Sequence, residues 1–318
     1  MQESLLAALD AAEATPSRPS VGTWVGRAAA FALGAIFLVA ALAKALDPAS
    51  FAESLTSQGL TFGLGAKTVA LLVLALEVGL GLLLVLGVRR PWSLALAALV
   101  VVTFVVLNGW EWWRASHGAP PAAGCGCFGN LVQRTPAQAF WQDLAMLLPL
   151  LLLALVGLPK NAPALPRKRM AVVIAGMAAI ALFAWRAPEL PLDDLATRVK
   201  PGTDLASLCA GSDPKVCFPE VASEVKKGRS WIVLVDLADA EHWSDRLNEL
   251  AAREGAPPVV AVTTAGLDEV RAFTWSWGPT YPIHEAPPAL FRPLYRTLPR
   301  SFLTEDGRVV RTVSGLPQ

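Results

Sequence analysis

The chain has few charged residues, few cysteines and almost no tyrosine. Only 17% of its 318 residues are charged, while 54% are hydrophobic. A soluble globular protein carries about a quarter charged residues, so a wholly soluble protein is excluded. The formal net charge of +1 argues against a nucleic-acid partner. Four cysteines are too few for a fold built on disulfides.

The first twenty residues also lack the pattern of a cleaved signal peptide. They contain Glu3, Asp10 and Glu13 and have no short basic start. The apolar segment that follows is long enough to span a bilayer, and no small-residue cleavage site ends it. We therefore expect this segment to remain as a membrane anchor.

Five apolar stretches meet or approach the length of about 20 residues that a membrane-spanning helix needs. Beyond residue 187 charges become frequent and no apolar run is long enough to span. The sequence thus predicts an all-α membrane bundle with a fifth spanning helix, followed by a soluble α/β domain. The five stretches are Trp24–Leu46, Ala66–Val88, Trp92–Trp110, Phe140–Leu158 and Met170–Trp185.

Basic residues near the helix ends predict the orientation. Arg89 and Arg90 lie between the second and third spans, and Lys160 and Arg167 to Arg169 lie between the fourth and fifth. Cytoplasmic loops carry such an excess of Lys and Arg. We predict a multi-pass protein of the cytoplasmic (inner) membrane, with its C-terminal domain on the periplasmic or extracellular side. The predicted divisions are a cytoplasmic segment (1–23), a membrane domain (24–158), a cytoplasmic loop with the fifth helix (159–187) and the soluble domain (188–318).

The C-terminal domain alternates between strand and helix patterns. Buried strands are predicted at Trp231–Val235 and Pro258–Thr263, each followed by a helix, at Glu241–Arg253 and Leu267–Trp277. A hairpin of Ser301–Thr304 and Arg308–Val313 follows, with its turn at Asp306 and Gly307. This order predicts an α/β sandwich with a mixed sheet.

Two of the four cysteines, Cys125 and Cys127, lie in the connection between the third and fourth spans, with Gly126 between them. A disulfide between residues two apart requires a bent backbone, which glycine permits. A small, strained ring is easily reduced, and such disulfides are the labile or catalytic ones. We favour a redox-active pair over a static staple or two free thiols. A metal site is the least favoured alternative, because His117 stands alone nearby. No cofactor is evident.

Cys209 and Cys217 precede the first strand of the C-terminal domain. A turn through Gly211 and Pro214 could bring them together. A structural disulfide in an exported domain is the simpler interpretation. The alternative is a relay pair that exchanges with Cys125 and Cys127.

Several polar and aromatic residues lie within or beside the spans. Glu77 is near the middle of the second span, so we expect it to face the bundle interior. We favour a protonated carboxyl that is hydrogen-bonded between helices; the alternatives are a proton relay or a buried partner of Lys44 or Arg27. Lys44 is expected to snorkel at a helix end, and its cation could lower a cysteine pKa. Aromatic residues Trp110, Trp112 and Trp113 fit an interfacial belt; the alternative is a quinone-stacking site.

The membrane part resembles the MauE branch of the DoxX-like membrane proteins over residues 24–158. The resemblance rests on Arg27, on Lys44 before Leu46-Asp47-Pro48, on Phe51, on Leu76-Glu77-Val78-Gly79 and on Cys125-Gly126-Cys127-Phe128-Gly129. It implies a four-helix bundle associated with periplasmic thiol redox chemistry. The namesake family is associated with methylamine utilisation and with maturing a disulfide-rich enzyme subunit.

Residues 192–318 resemble the second half of a TlpA-type thioredoxin-like domain. The similar positions include Tyr281-Pro282, Leu298-Pro299, Ser301–Thr304 and Asp306-Gly307. The resemblance implies a cis-proline at Pro299. The family's Cys-x-x-Cys is missing, because Asp236 to Trp243 contain no cysteine. Ordinary thioredoxin chemistry is therefore not expected in this domain.

These patterns lead to one favoured function and one rival. We expect thiol–disulfide exchange at Cys125 and Cys127 that supports the maturation of exported proteins, with a thiol-containing client and the lipid bilayer as partners. If the chain is an enzyme, it is a thiol–disulfide oxidoreductase. The rival is a non-catalytic membrane scaffold whose C-terminal domain binds a client or partner. Lys44, Glu77 and Pro299 are the predicted supporting residues.

Overall fold

The computed structural model describes residues 20–61, 63–118, 134–158, 166–210 and 215–317. In these ranges, five helices are long and apolar enough to cross a membrane. Each of the five predicted segments falls on one of them, which confirms the membrane bundle. The five helices are α1 (Val21–Leu46), α3 (Ala66–Val85), α4 (Pro91–Ser116), α5 (Pro136–Leu155) and α6 (Arg167–Arg186), and a shorter α2 (Pro48–Ser57) lies between α1 and α3.

Helix α2 lies between the first two predicted spans, where the sequence predicted no helix. Asp47 ends α1 and begins α2, because its carboxylate accepts a hydrogen bond from the Ser50 backbone N–H at 3.1 Å. Proline at the first helical position, here Pro48, is pre-organised for a helix start. The apolar face of α2, with Ala52 and Leu55, packs on α3. The segment between α1 and α3 therefore forms a helix that packs against the end of the bundle.

Helices α1 and α3 approach each other closely at two glycines. A Cβ atom added to Gly34 would lie 2.7 Å from the Gly81 carbonyl oxygen and 2.9 Å from Leu84 Cβ. Without a hydrophobic effect to drive helices together in lipid, close van der Waals packing across small residues holds them. Gly34 and Gly81 are such a contact.

Arg89 supports the opposite end of the bundle. Its side chain is buried, and its guanidinium donates hydrogen bonds to the carbonyls of Ala154, at 2.8 Å, and of Val156 and Thr23. It thereby satisfies carbonyl groups at the C-terminal end of α5 that have no helical partner. Arg89 has a structural role in addition to any contribution to orientation.

The C-terminal domain contains a five-stranded mixed sheet, as predicted, in the order β5-β4-β3-β6-β7. The β3–β4 and β4–β5 pairs are parallel, and the β3–β6 and β6–β7 pairs are antiparallel. Alternate residues of β3 face hydrophobic cores on opposite sides of the sheet. Ile232 and Leu234 belong to one core, and Trp231 and Val233 belong to the other. The strands are β3 (Arg229–Leu234), β4 (Val259–Thr263), β5 (Ile283–Glu285), β6 (Arg300–Glu305) and β7 (Arg308–Ser314).

Short helices cover the sheet, and a separate two-stranded hairpin precedes it. The predicted helix at Leu267–Trp277 has the observed bounds of α10. The hairpin strands and β5 were not predicted. The hairpin consists of β1 (Cys209–Ala210) and β2 (Val216–Cys217), and the helices are α7 (Asp193–Ala196), α8 (Phe218–Val221), α9 (Ser244–Ala251), α10 (Leu267–Trp277) and α11 (Pro288–Phe291).

The helix that follows β3 begins later than predicted. A 3₁₀ segment occupies Leu237–His242, and α9 begins only at Ser244. The Asp236 side chain caps the 3₁₀ segment by accepting from the Ala238 backbone N–H at 3.0 Å. Asp239, two residues before the predicted start at Glu241, lies inside that segment with non-helical backbone angles. Asp236 therefore caps the 3₁₀ segment, and the predicted helix start at Glu241 is wrong.

The glycine contact leads to a prediction for Gly34→Val. The added side chain would overlap the α3 backbone, and overpacking of this kind costs about 1–3 kcal/mol. We expect the free energy of unfolding, measured by denaturant titration in detergent micelles, to fall by that amount. Ala28→Val is the matched control, because Ala28 is exposed on the same helix. Equal stability of the two variants would contradict the packing role of Gly34.

Candidate functional site

The predicted redox pair, Cys125 and Cys127, lies outside the described residues. What the structure describes is the framework on either side: α4, which ends at Ser116, and α5, which begins at Pro136. Two buried polar clusters and a cavity lie in the same half of the bundle. These features define the candidate site.

The first cluster links α4 and α5 beside the start of α5. Asp143 is fully buried, and Arg134 donates to its Oδ1 at 2.8 Å. Asn108 of α4 donates from Nδ2 to the other carboxylate oxygen at 2.7 Å. A charge-assisted arrangement such as this satisfies a carboxylate that would otherwise be costly to bury. The cluster fixes the base of the connection that carries Cys125 and Cys127.

This cluster was not predicted from the sequence. Asp143 stands inside an apolar span, and an ionisable residue in such a position is by default a functional candidate. Asp143 is therefore as strong a functional candidate from its sequence position as Glu77 is. Its partners Asn108 and Arg134 could not be identified without the packing of α4 on α5.

The second cluster is a buried ion pair between Lys44 of α1 and Glu77 of α3. Each side chain is 1% exposed, and the Lys44 ammonium donates to Glu77 Oε1. The rings of Phe51 and Phe104 lie 5.2 and 4.4 Å from Lys44 Nζ and add cation–π contacts. The expectations that Glu77 faces the bundle interior and that it partners Lys44 agree with this contact.

The expectation that Lys44 snorkels at a helix end is wrong. Its side chain reaches inward because Glu77 and two aromatic rings inside the bundle offer the ammonium partners. The other carboxylate oxygen, Glu77 Oε2, is buried and accepts no hydrogen bond from any described residue. Arg27, the alternative partner of Glu77, is exposed and lies over the ring of Trp24. An effect of Lys44 on a cysteine pKa stays a prediction.

A cavity of about 240 Å³ lies between α2, α3 and α4 beside the ion pair. Its lining is mostly apolar, and Leu76 and Leu99 stand at its exposed rim. The polar and aromatic residues of the lining include Lys44, Asp47, Phe51, Gln58, Phe104 and Asn108. Because Asn108 also belongs to the Asp143 cluster, the cavity extends between the two polar clusters.

The C-terminal domain docks on α2, the helix that covers one side of this cavity. Arg292 Nε and Nη2 both lie 2.9 Å from Glu53 Oε2, with the Arg292 side chain 8% and the Glu53 side chain 66% exposed. Four residues later, Arg296 donates to the Leu190 carbonyl at 3.1 Å and to the Ala187 carbonyl, just beyond α6. One segment of the domain thus contacts two parts of the membrane bundle.

Asp47 is part of the same charge group. Burial raises the pKa of its carboxyl, while the charges of Arg292 and Arg296 and the Ser50 N–H act in the opposite direction. The two arginines therefore offset part of the cost of placing a carboxylate between α1 and α2. Neither arginine was singled out in the sequence.

In the C-terminal domain, Cys209 and Cys217 form a disulfide across the β1–β2 hairpin. The Leu298–Pro299 peptide bond is cis, as the thioredoxin-like resemblance implies. Asp236 to Trp243, the segment without cysteine, forms the 3₁₀ turn after β3. His242 lies at the end of that turn and is exposed.

The tryptophans at the end of α4 form stacked pairs. The rings of Trp110 and Trp113 are 5.1 Å apart, and Trp112 stacks on Phe140 of α5 at 5.2 Å. Stacking of this kind fits an interfacial aromatic belt. Among the described residues, no group of three or more His, Cys, Asp or Glu residues could hold a metal ion.

Comparison with known proteins bears on the membrane domain. Residues 22–160 match the family model of methylamine utilisation protein MauE. The match covers α1 to α5, both buried clusters, the cavity and the segment with Cys125 and Cys127. Neither the curated proteins nor the solved structures gave a match. The MauE similarity thus concerns α1 to α5 and leaves α6 and the C-terminal domain outside it.

The buried ion pair leads to a double-mutant prediction. Lys44→Met or Glu77→Leu alone leaves the other group without its partner, and breaking a buried pair in this way costs about 3–5 kcal/mol. Replacing both residues, as Lys44→Met with Glu77→Leu, removes both charges and should restore most of the stability. Denaturant titration in micelles measures all variants. Additive losses in the double variant would show that the two residues do not act as a pair.

The docking contact leads to a second prediction. Arg292→Glu places a third carboxylate next to Asp47 and Glu53, so the C-terminal domain should loosen from α2. We expect hydrogen exchange in residues 48–57 to accelerate, with no change in α10. The matched control is Arg271→Glu, since Arg271 is exposed on α10 and pairs only locally with Asp268. Adding Glu53→Arg to Arg292→Glu should recover the slow exchange; failure to do so would contradict a direct charge contact.

Proposed function

We propose that the protein supports thiol–disulfide exchange during the maturation of exported proteins, through Cys125 and Cys127. The observation that carries this proposal is the position of the pair: it lies inside the region that matches the MauE family. A thiolate from one cysteine attacks a partner disulfide, forms a mixed disulfide and displaces the partner's other sulfur as a thiolate. The second cysteine then attacks the sulfur of the first cysteine, which forms the Cys125–Cys127 disulfide and releases the partner's remaining sulfur as a thiolate. The client is then reduced and the pair oxidised, or the reverse.

The buried framework supports this role. The Arg134–Asp143–Asn108 cluster holds α4 and α5 at a fixed spacing on either side of the cysteine segment. A reactive pair needs a rigid base if its geometry is to favour exchange. We further propose that the pair and the C-terminal domain lie on the periplasmic or extracellular side of the cytoplasmic membrane, where disulfides persist. The disulfide between Cys209 and Cys217 fits that compartment.

We propose that the C-terminal domain is thioredoxin-like and has a binding role. The strand order β5-β4-β3-β6-β7, the cis Leu298–Pro299 bond and the helix that follows β3 support the assignment. Its Asp236 to Trp243 turn carries no cysteine, which favours binding over chemistry. A scaffold function for the whole protein is the second candidate, and this same absence of Cys-x-x-Cys is the observation that favours it.

Cysteine variants separate the two candidates. In membranes that express the wild type, we expect alkylation mass-shift assays to show Cys125 and Cys127 changing between thiol and disulfide when oxidant or reductant is added. Of Cys125→Ser and Cys127→Ser, the variant that keeps the attacking cysteine should accumulate a mixed disulfide with a client, because no second thiol remains in the pair to resolve it.

The matched control replaces Cys209 and Cys217 by serine together. This variant should retain the redox change of Cys125 and Cys127. If the pair keeps one redox state under all conditions and neither single variant traps a client, thiol exchange is wrong and the scaffold function remains.

A further inference from the structure

The cavity between α2, α3 and α4 has features of a ligand site that neither the family match nor the cysteine chemistry assigns. It lies at the end of the bundle that α2 covers, next to the buried ammonium group of Lys44 and the rings of Phe51 and Phe104. The shape, access, charge and hydrogen-bonding groups of the cavity together restrict what it can bind.

Access to the cavity is from the side of the bundle. Leu76 of α3 and Leu99 of α4 line its rim, and both are exposed on helices that could cross a membrane. A ligand therefore enters between α3 and α4 from the surface that would face lipid. The volume of about 240 Å³ fits a substituted six-membered ring, since a cavity of about 150 Å³ holds benzene.

The charges in the wall favour a neutral ligand. Lys44 is neutralised by Glu77, and Asp47 lies in the field of Arg292 and Arg296. An anionic ligand would bring an uncompensated charge into a poorly solvated space, which is costly. A fatty acid or a phosphate head group is therefore disfavoured.

The hydrogen-bonding groups of the lining favour a ligand that accepts hydrogen bonds. Ser54 and Thr103 donate their hydroxyl protons to carbonyls one turn back, at 3.0 and 2.8 Å. Asn108 directs its amide nitrogen to Asp143. The donors left in the lining include the remaining N–H groups of Lys44, which has three, the amide of Gln58 and the second amide N–H of Asn108. A ligand ring with carbonyl oxygens matches this arrangement.

We propose that this cavity binds the head group of a lipid-soluble quinone. Its ring lies against Phe51 and Phe104, its carbonyl oxygens accept from Lys44 and Gln58, and its apolar chain leaves past Leu76 and Leu99 into the bilayer. The proposal goes beyond the thiol-exchange function and does not rest on it. It also differs from stacking on the tryptophans at the end of α4, which do not line the cavity.

The test is a binding titration on the full chain in lipid nanodiscs, with ubiquinone-1 as the probe and calorimetry as the readout. We expect saturable binding with one site per chain. Thr103→Trp should weaken binding at least tenfold because the indole occupies the cavity, and Gln58→Leu should weaken it several-fold. Val102→Trp is the matched control: Val102 is exposed on the same helix and does not line the cavity, so this variant should bind as the wild type does.

Further arms separate this proposal from its rivals. Palmitate should not displace the quinone; equal competition by palmitate would mean that the cavity accepts any acyl chain and would overturn the proposal. Absence of saturable binding, or equal loss in Thr103→Trp and Val102→Trp, would also overturn it. The Cys125→Ser/Cys127→Ser variant should bind ubiquinone-1 with wild-type affinity, so quinone binding and thiol exchange can each fail without the other.

Discussion

The ion pair between Lys44 and Glu77 is the contact around which the membrane domain is organised. Two charges inside an apolar bundle are tolerated only together, because either one alone would lack compensation. The pair joins α1 to α3, and the Gly34–Gly81 contact lets the same two helices approach closely enough for it to form. Phe51 and Phe104, which flank the ammonium, bring α2 and α4 into the same arrangement. One charge pair thus orders four helices and shapes the wall of the cavity.

The C-terminal domain extends this arrangement outside the bundle. Arg292 holds Glu53 on α2, and Arg296 holds the carbonyl groups that follow α6. A surface ion pair in isolation contributes little, and Glu53 is largely exposed. Here, however, Arg292 also offsets the charge of buried Asp47. The domain is therefore coupled to α2. Because α2 covers one side of the cavity, a movement of the domain would also displace part of the cavity wall.

The elements predicted best from sequence were those with strong local patterns. The five spans, the helix Leu267–Trp277 and the β6–β7 hairpin follow from apolar length, periodicity and turn residues. Short elements lack such a signal, as β5 shows: it has three residues, two of which are the polar residues His284 and Glu285. This segment forms a strand because it pairs in parallel with the edge of β4. The candidate site depended even more on packing. Glu53 and Arg292 are 239 positions apart in the sequence. The Lys44 side chain lies inside the bundle because Glu77 of α3 is within hydrogen-bonding distance of its ammonium group.

The ends of the cysteine connection, α2 and the C-terminal domain lie on the same side of the bundle, whichever side of the membrane is cytoplasmic. If each of the five helices crosses the bilayer, the end of α1, the end of α4, the start of α5 and the end of α6 all lie on one side. Helix α2 and the docked C-terminal domain are at that same side, because Glu53 and Ala187 are their contacts. The connection with Cys125 and Cys127 therefore begins and ends at the face on which the domain sits. Arg89, one of the charges that predicted the orientation, is engaged in capping α5. Reversing the orientation would move the whole assembly to the other compartment without separating its parts.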